Sequence, residues 1–195
     1  MVRFSNFPTL DPAAYNVVHD LLAQADQQAS VFAAFLFRWM AFNDWMSAVA
    51  LENTDAAMVG AIVKEPRLVA AFDKLMLDDE AFSGAVTDFS SLWPVLNLKD
   101  VRAKIGYDAF QLFSRDEVLA SYPGIDVKRQ PADWVAGSRP SWEQLMRVIY
   151  EVRCNLFHGQ KSPLNSRDDE LIGFSDRLLK DYLEGSGCLE WDDTP

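Results

Sequence analysis

Residues 29 to 51 set the tightest limit on what this 195-residue chain can fold into. Phe32, Phe35, Phe37, Trp39, Phe42 and Trp45 crowd into that one run. A helix this apolar has to be buried, either in a protein core or in a bilayer. The run is long enough to span a membrane. Arg38, Asn43 and Asp44 fall near its middle, however, and each charge there would cost about 2.5–3.5 kcal/mol on insertion scales. The run is therefore read as the central core helix of a bundle, with no membrane association expected.

The rest of the chain reads as helices around that run. Asp11-Pro12 makes a cap with Pro in the first turn. Tyr15, Val18, Leu21, Leu22 and Ala25 then recur at helical spacing, which predicts a helix over 11–28. Shorter helices are expected at 54–63, 66–77, 79–91, 99–105 and 107–121. Pro123-Gly124 and Asp126 to Pro131 read as a loop with a small basic patch, Lys128-Arg129. Arg167-Asp168-Asp169-Glu170 opens a last helix with acidic residues at its positive end. Leu171, Phe174, Leu178, Leu179, Tyr182 and Leu183 supply its buried face. The acidic tail from Glu190 onward is expected to fray. No stretch shows sustained strand-type alternation, so the fold class is all-α. We expect a single domain, an up-and-down helical bundle with core helices about 11–51 and 140–185 and a helical insertion about 52–139.

The helix before the last carries the most unusual pattern. Ser141 follows Pro140 and precedes Gln144 by three residues, a capping-box start, while Gly159, Lys161 and Pro163 read as a stop. At about 100° per residue, Trp142, Leu145, Met146, Ile149, Val152, Leu156 and Phe157 fall on one side, and Glu143, Arg147 and Glu151 on the other. Arg153 breaks the pattern, lying only about 20° from Trp142 on the wheel. A guanidinium aimed into an apolar stripe needs a carboxylate, carbonyls, a partner chain or a phosphate. Asp44 or Asn43 could be that partner; alternatively, those two side chains satisfy their own neighbours in the core. His158 follows at the helix exit, where the carbonyl end of the dipole favours an imidazolium.

The string Tyr150-Glu151-Val152-Arg153-Cys154-Asn155-Leu156-Phe157-His158-Gly159, followed by Gln160-Lys161-Ser162-Pro163, resembles the signature of the HEPN superfamily. That signature is an Arg, four to six residues, then a His. It is similar to a subgroup of stand-alone bacterial HEPN proteins whose motif reads as an Arg, one variable residue, NLFHG and a Lys. The first spacer residue, usually polar in the family, is Cys154 here, and the Asn comes one position later. Phe42-Asn43, in its Ala-Phe-Asn context, resembles the subgroup's second block. The resemblance implies an up-and-down helical bundle, a homodimer with two Arg–His motifs face to face, and metal-independent endoribonuclease activity as a toxin or defence effector. On that reading Arg153 and His158 are catalytic, and Asn155 orients the phosphate. Cys154, Asn43 and Asp44 support the site, while Lys161, Lys128 and Arg129 are candidate RNA contacts.

Charge and composition bound this reading. A net charge of −11 with pI near 4.5 speaks against a broad basic footprint for nucleic acid, so any RNA contact has to be local. Cys154 and Cys188 are far apart and suit a reducing cytoplasm rather than a disulfide scaffold. Met1 to Leu10 contain no apolar run of signal-peptide length. No metal-ligand spacing is seen and no cofactor is expected. Two other readings stay open. One is a non-catalytic HEPN interaction module, neutralised by an antitoxin or partnered with a nucleotidyltransferase. The other is a purely structural pair, with Arg153 on a core carboxylate and His158 capping the helix.

Overall fold

The computed structural model describes residues 2–5, 7, 8, 12–112, 115–122, 124–157 and 166–193. The helices run α1 Pro12–Asp26, α2 Val31–Ala50, α3 Asp55–Ile62, α4 Pro66–Asp78 and α5 Glu80–Ser90, followed by strand β1 Val95–Leu96. Then come α6 Leu98–Ile105, α7 Tyr107–Leu112, α8 Arg115–Ser121, strand β2 Arg129–Gln130, α9 Trp142–Phe157, α10 Ser166–Ser186 and a 3-10 turn at Cys188–Glu190. The chain is mostly helical, as expected, and the two short strands pair antiparallel, Val95 with Gln130 and Leu96 with Arg129.

Local chemistry fixes most boundaries. Ser30, Thr54, Asp79 and Asn97 each cap the helix that follows by accepting a backbone N–H. The Ser141 box closes reciprocally: Gln144 N donates to Ser141 Oγ, and Ser141 N donates to Gln144 Oε1.

The apolar run is α2, and Phe35, Trp39, Phe42, Trp45, Met46 and Val49 are buried along it. Phe42 stacks on Trp45, with ring centroids 5.4 Å apart. Among the described residues no helix is long and apolar enough to cross a membrane. Helix α1 lies along α2, and α10 packs on α2, α4, α5 and α9.

The segment expected as an insertion over 52–139 divides in two. Met58, Val59, Ile62, Leu68, Phe72, Phe82, Val86 and Phe89 belong to the same core as α2 and α9. Only Leu96, Val101, Val118 and Val127 form a separate small cluster, with Ile105, Phe110, Tyr122 and Ile125 packed against it.

The expected fraying of the tail is corrected for residues 190 to 193. Cys188 and Leu189 are buried, and Trp191 and Phe4 both lie against the Arg67 guanidinium, at 4.8 and 4.6 Å. Asp193 accepts from the Ser5 hydroxyl and from Arg67, and Tyr15 donates its hydroxyl proton to Glu190. Cation–ring contacts and hydrogen bonds together dock a segment whose composition alone reads as solvated.

Candidate functional site

Helix α9 carries the motif and is sided by three environments. Its apolar stripe enters the core through Trp142, Leu145, Met146, Ile149, Val152 and Leu156. Its polar side faces water at Glu143 and Arg147 but is covered at Glu151 and Asn155, against the expectation from the wheel. Glu143, Arg147, Glu151 and Asn155 succeed one another at four-residue steps, and the paired strands lie against this side of α9. Glu151 is therefore buried, only 7% exposed, and its Oε1 accepts from Asn97 Nδ2 at 2.9 Å.

Asn155 completes the seat. Its Nδ2 donates to the Leu96 carbonyl at 2.8 Å and its Oδ1 accepts from Leu98 N at 2.9 Å, with the residue 2% exposed. The sequence reading has Asn155 orienting a phosphate. Here its amide is engaged in holding the turn between β1 and α6, because that turn has backbone groups that would otherwise be buried without partners. Both amide atoms of Asn155 are therefore engaged within the fold.

Arg153 projects about 160–200° around the helix from Glu151 and Asn155, toward α2 and α3. Its Nη2 meets Asp55 Oδ2 at 2.7 Å, and its guanidinium carbon lies 5.7 Å from the Trp39 ring centroid. The Arg153 side chain is 22% exposed and that of Asp55 27%. The guanidinium is thus at the edge of the apolar stripe rather than inside it.

Tyr150 lies one turn earlier, its ring centroid 6.0 Å from that of Trp39. Its hydroxyl pKa is pushed up to about 12, mainly by burial and then by the neighbouring Cys154. Burial also raises the Cys154 thiol, against hydrogen bonding from Tyr150 and Arg153 that pulls it down. A thiol held protonated is a poor nucleophile, so Cys154 serves the site as a half-buried polar neighbour.

The remaining candidates are placed as follows. Asn43 and Asp44 are half-buried on α2, and no hydrogen-bond partner meets Asn43 Oδ1. Asp55, which the sequence reading does not single out, is the carboxylate that pairs with Arg153. Lys128 and Arg129 are exposed. Lys128 N donates to Asp100 Oδ2 at 2.8 Å, which holds the Asp100 carboxyl below its ordinary range, with Lys104 assisting. This basic pair sits with the strands, on the side of α9 opposite Arg153, so the structure does not bring the two together. His158 and Lys161 lie outside the described residues.

Among the described residues the guanidinium that is truly buried belongs to Arg38, 3% exposed in the middle of α2. Its Nε donates to Asp176 Oδ1 at 2.8 Å and its Nη2 to Asp26 Oδ1 at 3.0 Å, while Lys180 Nζ reaches the same Asp26 oxygen at 2.9 Å. The Lys180 hydrogen bond, helped by Arg38, lowers the Asp26 carboxyl. Burial raises that of Asp176 despite Arg38.

A cleft of about 330 Å³ opens toward the start of α9, lined by Gln130, Pro131, Asp133, Glu143, Gln144 and Arg147. It lies away from the Arg153 turn. Among the described residues no group of three or more His, Cys, Asp or Glu side chains is placed to hold a metal ion. No family model, no curated protein and no solved structure matches the chain.

Proposed function

We propose that the protein is a metal-independent endoribonuclease, a toxin or defence effector, that cleaves RNA with Arg153 and His158. The observation that carries the reading is the partial exposure of the Arg153 guanidinium at the exit turn of α9. Arg38 is enclosed, whereas Arg153 keeps one edge toward solvent, directly ahead of His158 in the chain. The motif's resemblance to the HEPN signature adds the chemistry. The ribose 2′-oxygen attacks the adjacent phosphorus, the bond from phosphorus to the 5′-oxygen breaks, and a 2′,3′-cyclic phosphate remains. His158 takes the 2′-hydroxyl proton, and its counterpart in a second copy gives a proton to the leaving oxygen, a task suited to a group whose ordinary pKa is near neutrality. Arg153 stabilises charge on the pentacovalent transition state. DNA, lacking the 2′-hydroxyl, is spared.

The test is incubation of a mixed cellular RNA pool with wild-type, Arg153→Ala and His158→Ala protein in EDTA, with analysis of fragment ends. Cleavage by wild type alone, leaving cyclic phosphates, is the expected result. Wild-type activity in either variant removes the catalytic assignment.

One observation favours a second reading, a non-catalytic interaction module that has a nucleotidyltransferase or antitoxin as partner. Arg153 already has a carboxylate partner, and Asn155 is engaged in the fold. A folded dimer that binds RNA or a partner protein without cutting would select this reading.

A further inference from the structure

We propose that Asp55 is a positioning residue for Arg153: its carboxylate holds the guanidinium over Trp39, in the orientation in which it meets a phosphate. The inference rests on the ribonuclease reading and deepens it by adding a residue that the motif does not contain.

The argument starts from stiffness. An arginine on the last turn of a helix carries several rotatable bonds, and ordering them as substrate binds weakens transition-state stabilisation. Here two of the groups that meet it are fixed by the core. Trp39 is 1% exposed in the middle of α2. Asp55 is the first residue of α3, and the cap of that helix is closed by Thr54, whose hydroxyl accepts from Ala57 N at 3.2 Å. Met58, Val59 and Ile62 root the same helix in the core. The carboxylate also sits at the positive end of α3, which stabilises its charge. Arg153 is thus oriented by a rigid anion on one edge and a rigid ring beneath it, while its partial exposure leaves it accessible.

A tether that merely joined α3 to α9 would matter only for stability, and little even there, since both side chains are partly exposed. A positioning role predicts a different split. Asp55→Ala removes a negative charge beside the phosphate site, so RNA binding to the cleavage-dead Asp55→Ala/His158→Ala protein should equal or exceed that of His158→Ala. Turnover by Asp55→Ala at saturating RNA should fall about 10- to 100-fold, the scale of a small misplacement of a reacting group, and Asp55→Glu should restore part of it. Turnover at the wild-type level in folded Asp55→Ala protein would overturn the proposal.

A second readout does not depend on cleavage. Rotation of the Arg153 guanidinium, followed by NMR of ¹⁵N-labelled arginine side chains assigned with Arg153→Lys, should be slow in wild type. It should be fast in Asp55→Ala, with inorganic phosphate slowing it again. Equal rotation in the two proteins overturns the positioning role. Slow wild-type rotation, released by Asp55→Ala, in a protein that cuts no RNA leaves the role standing and overturns the ribonuclease reading alone.

Discussion

Arg38 and Arg153 both face aspartates, yet they do so under opposite conditions. Arg38 is enclosed at the junction of α1, α2 and α10, where two carboxylates and a lysine complete its surroundings. Arg153 meets Asp55 at the margin of the core, with a ring beneath it and solvent at its side. Enclosure makes an ion pair indispensable to the fold, because losing one partner strands a charge in a medium that solvates it poorly. Marginal placement makes the same pair almost dispensable to stability.

The sharpest way to break this contrast is truncation. Arg38→Ala leaves the half-buried Asp176 without its main partner and should cost about 3–5 kcal/mol, read by denaturant unfolding. A loss under 1 kcal/mol would mean that Arg38 is not the structural member of the pair. Asn155→Ala comes next, at about 1–3 kcal/mol, because the Leu96 carbonyl and Leu98 N–H lose their partner in a buried place. Hydrogen exchange at Leu98 should accelerate more than at the core of α2, and uniform exchange across the chain would show that the strand seat is not a local feature. Arg153→Ala should cost only about 1 kcal/mol or less in stability. A cost as large as that of Arg38→Ala would erase the distinction and favour a structural role for the motif.

The finest test uses pH. Lys180 and Arg38 lower the Asp26 carboxyl, so its stabilisation is present above the ordinary carboxylate range and is lost as pH falls through its folded value. Burial raises Asp176, so its term runs the other way, its ionised form being the costly one. Removing Arg38 raises both carboxyls. Protonation then relieves the variant more than the wild type, and the stability gap between them should narrow as pH falls from 7 toward about 4. A gap that stays constant would assign Arg38's contribution to packing of its stem rather than to its charge.

Much of the fold is legible in the sequence because helix boundaries are written locally. The helices expected from 54 and 79 start there, behind caps supplied by Thr54 and Asp79, the Ser141–Gln144 box closes as its spacing predicts, and α2 is buried where its aromatics demand. The two arginines exchange roles for a reason that a helical wheel cannot represent. The wheel records angle alone, and Arg153 shares an angle with Trp142 but lies about 16 Å farther along the axis, where the apolar stripe reaches its margin. Arg38 finds Asp176 across a separation of 138 residues, which no local pattern announces. Glu151 reads as solvent-facing until the paired strands, two residues each, are laid over it. Their brevity hides them from any search for alternation. At the site itself Arg153 and its neighbour Cys154 were legible as candidates, whereas Asp55, an acidic residue at an ordinary helix start, carries no mark of its partner.

The clasp around Arg67 has a consequence in time as well as in space. Phe4, Ser5, Trp191 and Asp193 converge on one guanidinium and on each other, although Ser5 and Asp193 are 188 positions apart. A contact so remote in sequence cannot form until the intervening chain has condensed, so it belongs to the final stage of folding. Its polar contacts, from Ser5 and Arg67 to Asp193, are exposed and so belong to the first stage of opening. Because the early and late segments share a single cation, releasing either one loosens the other.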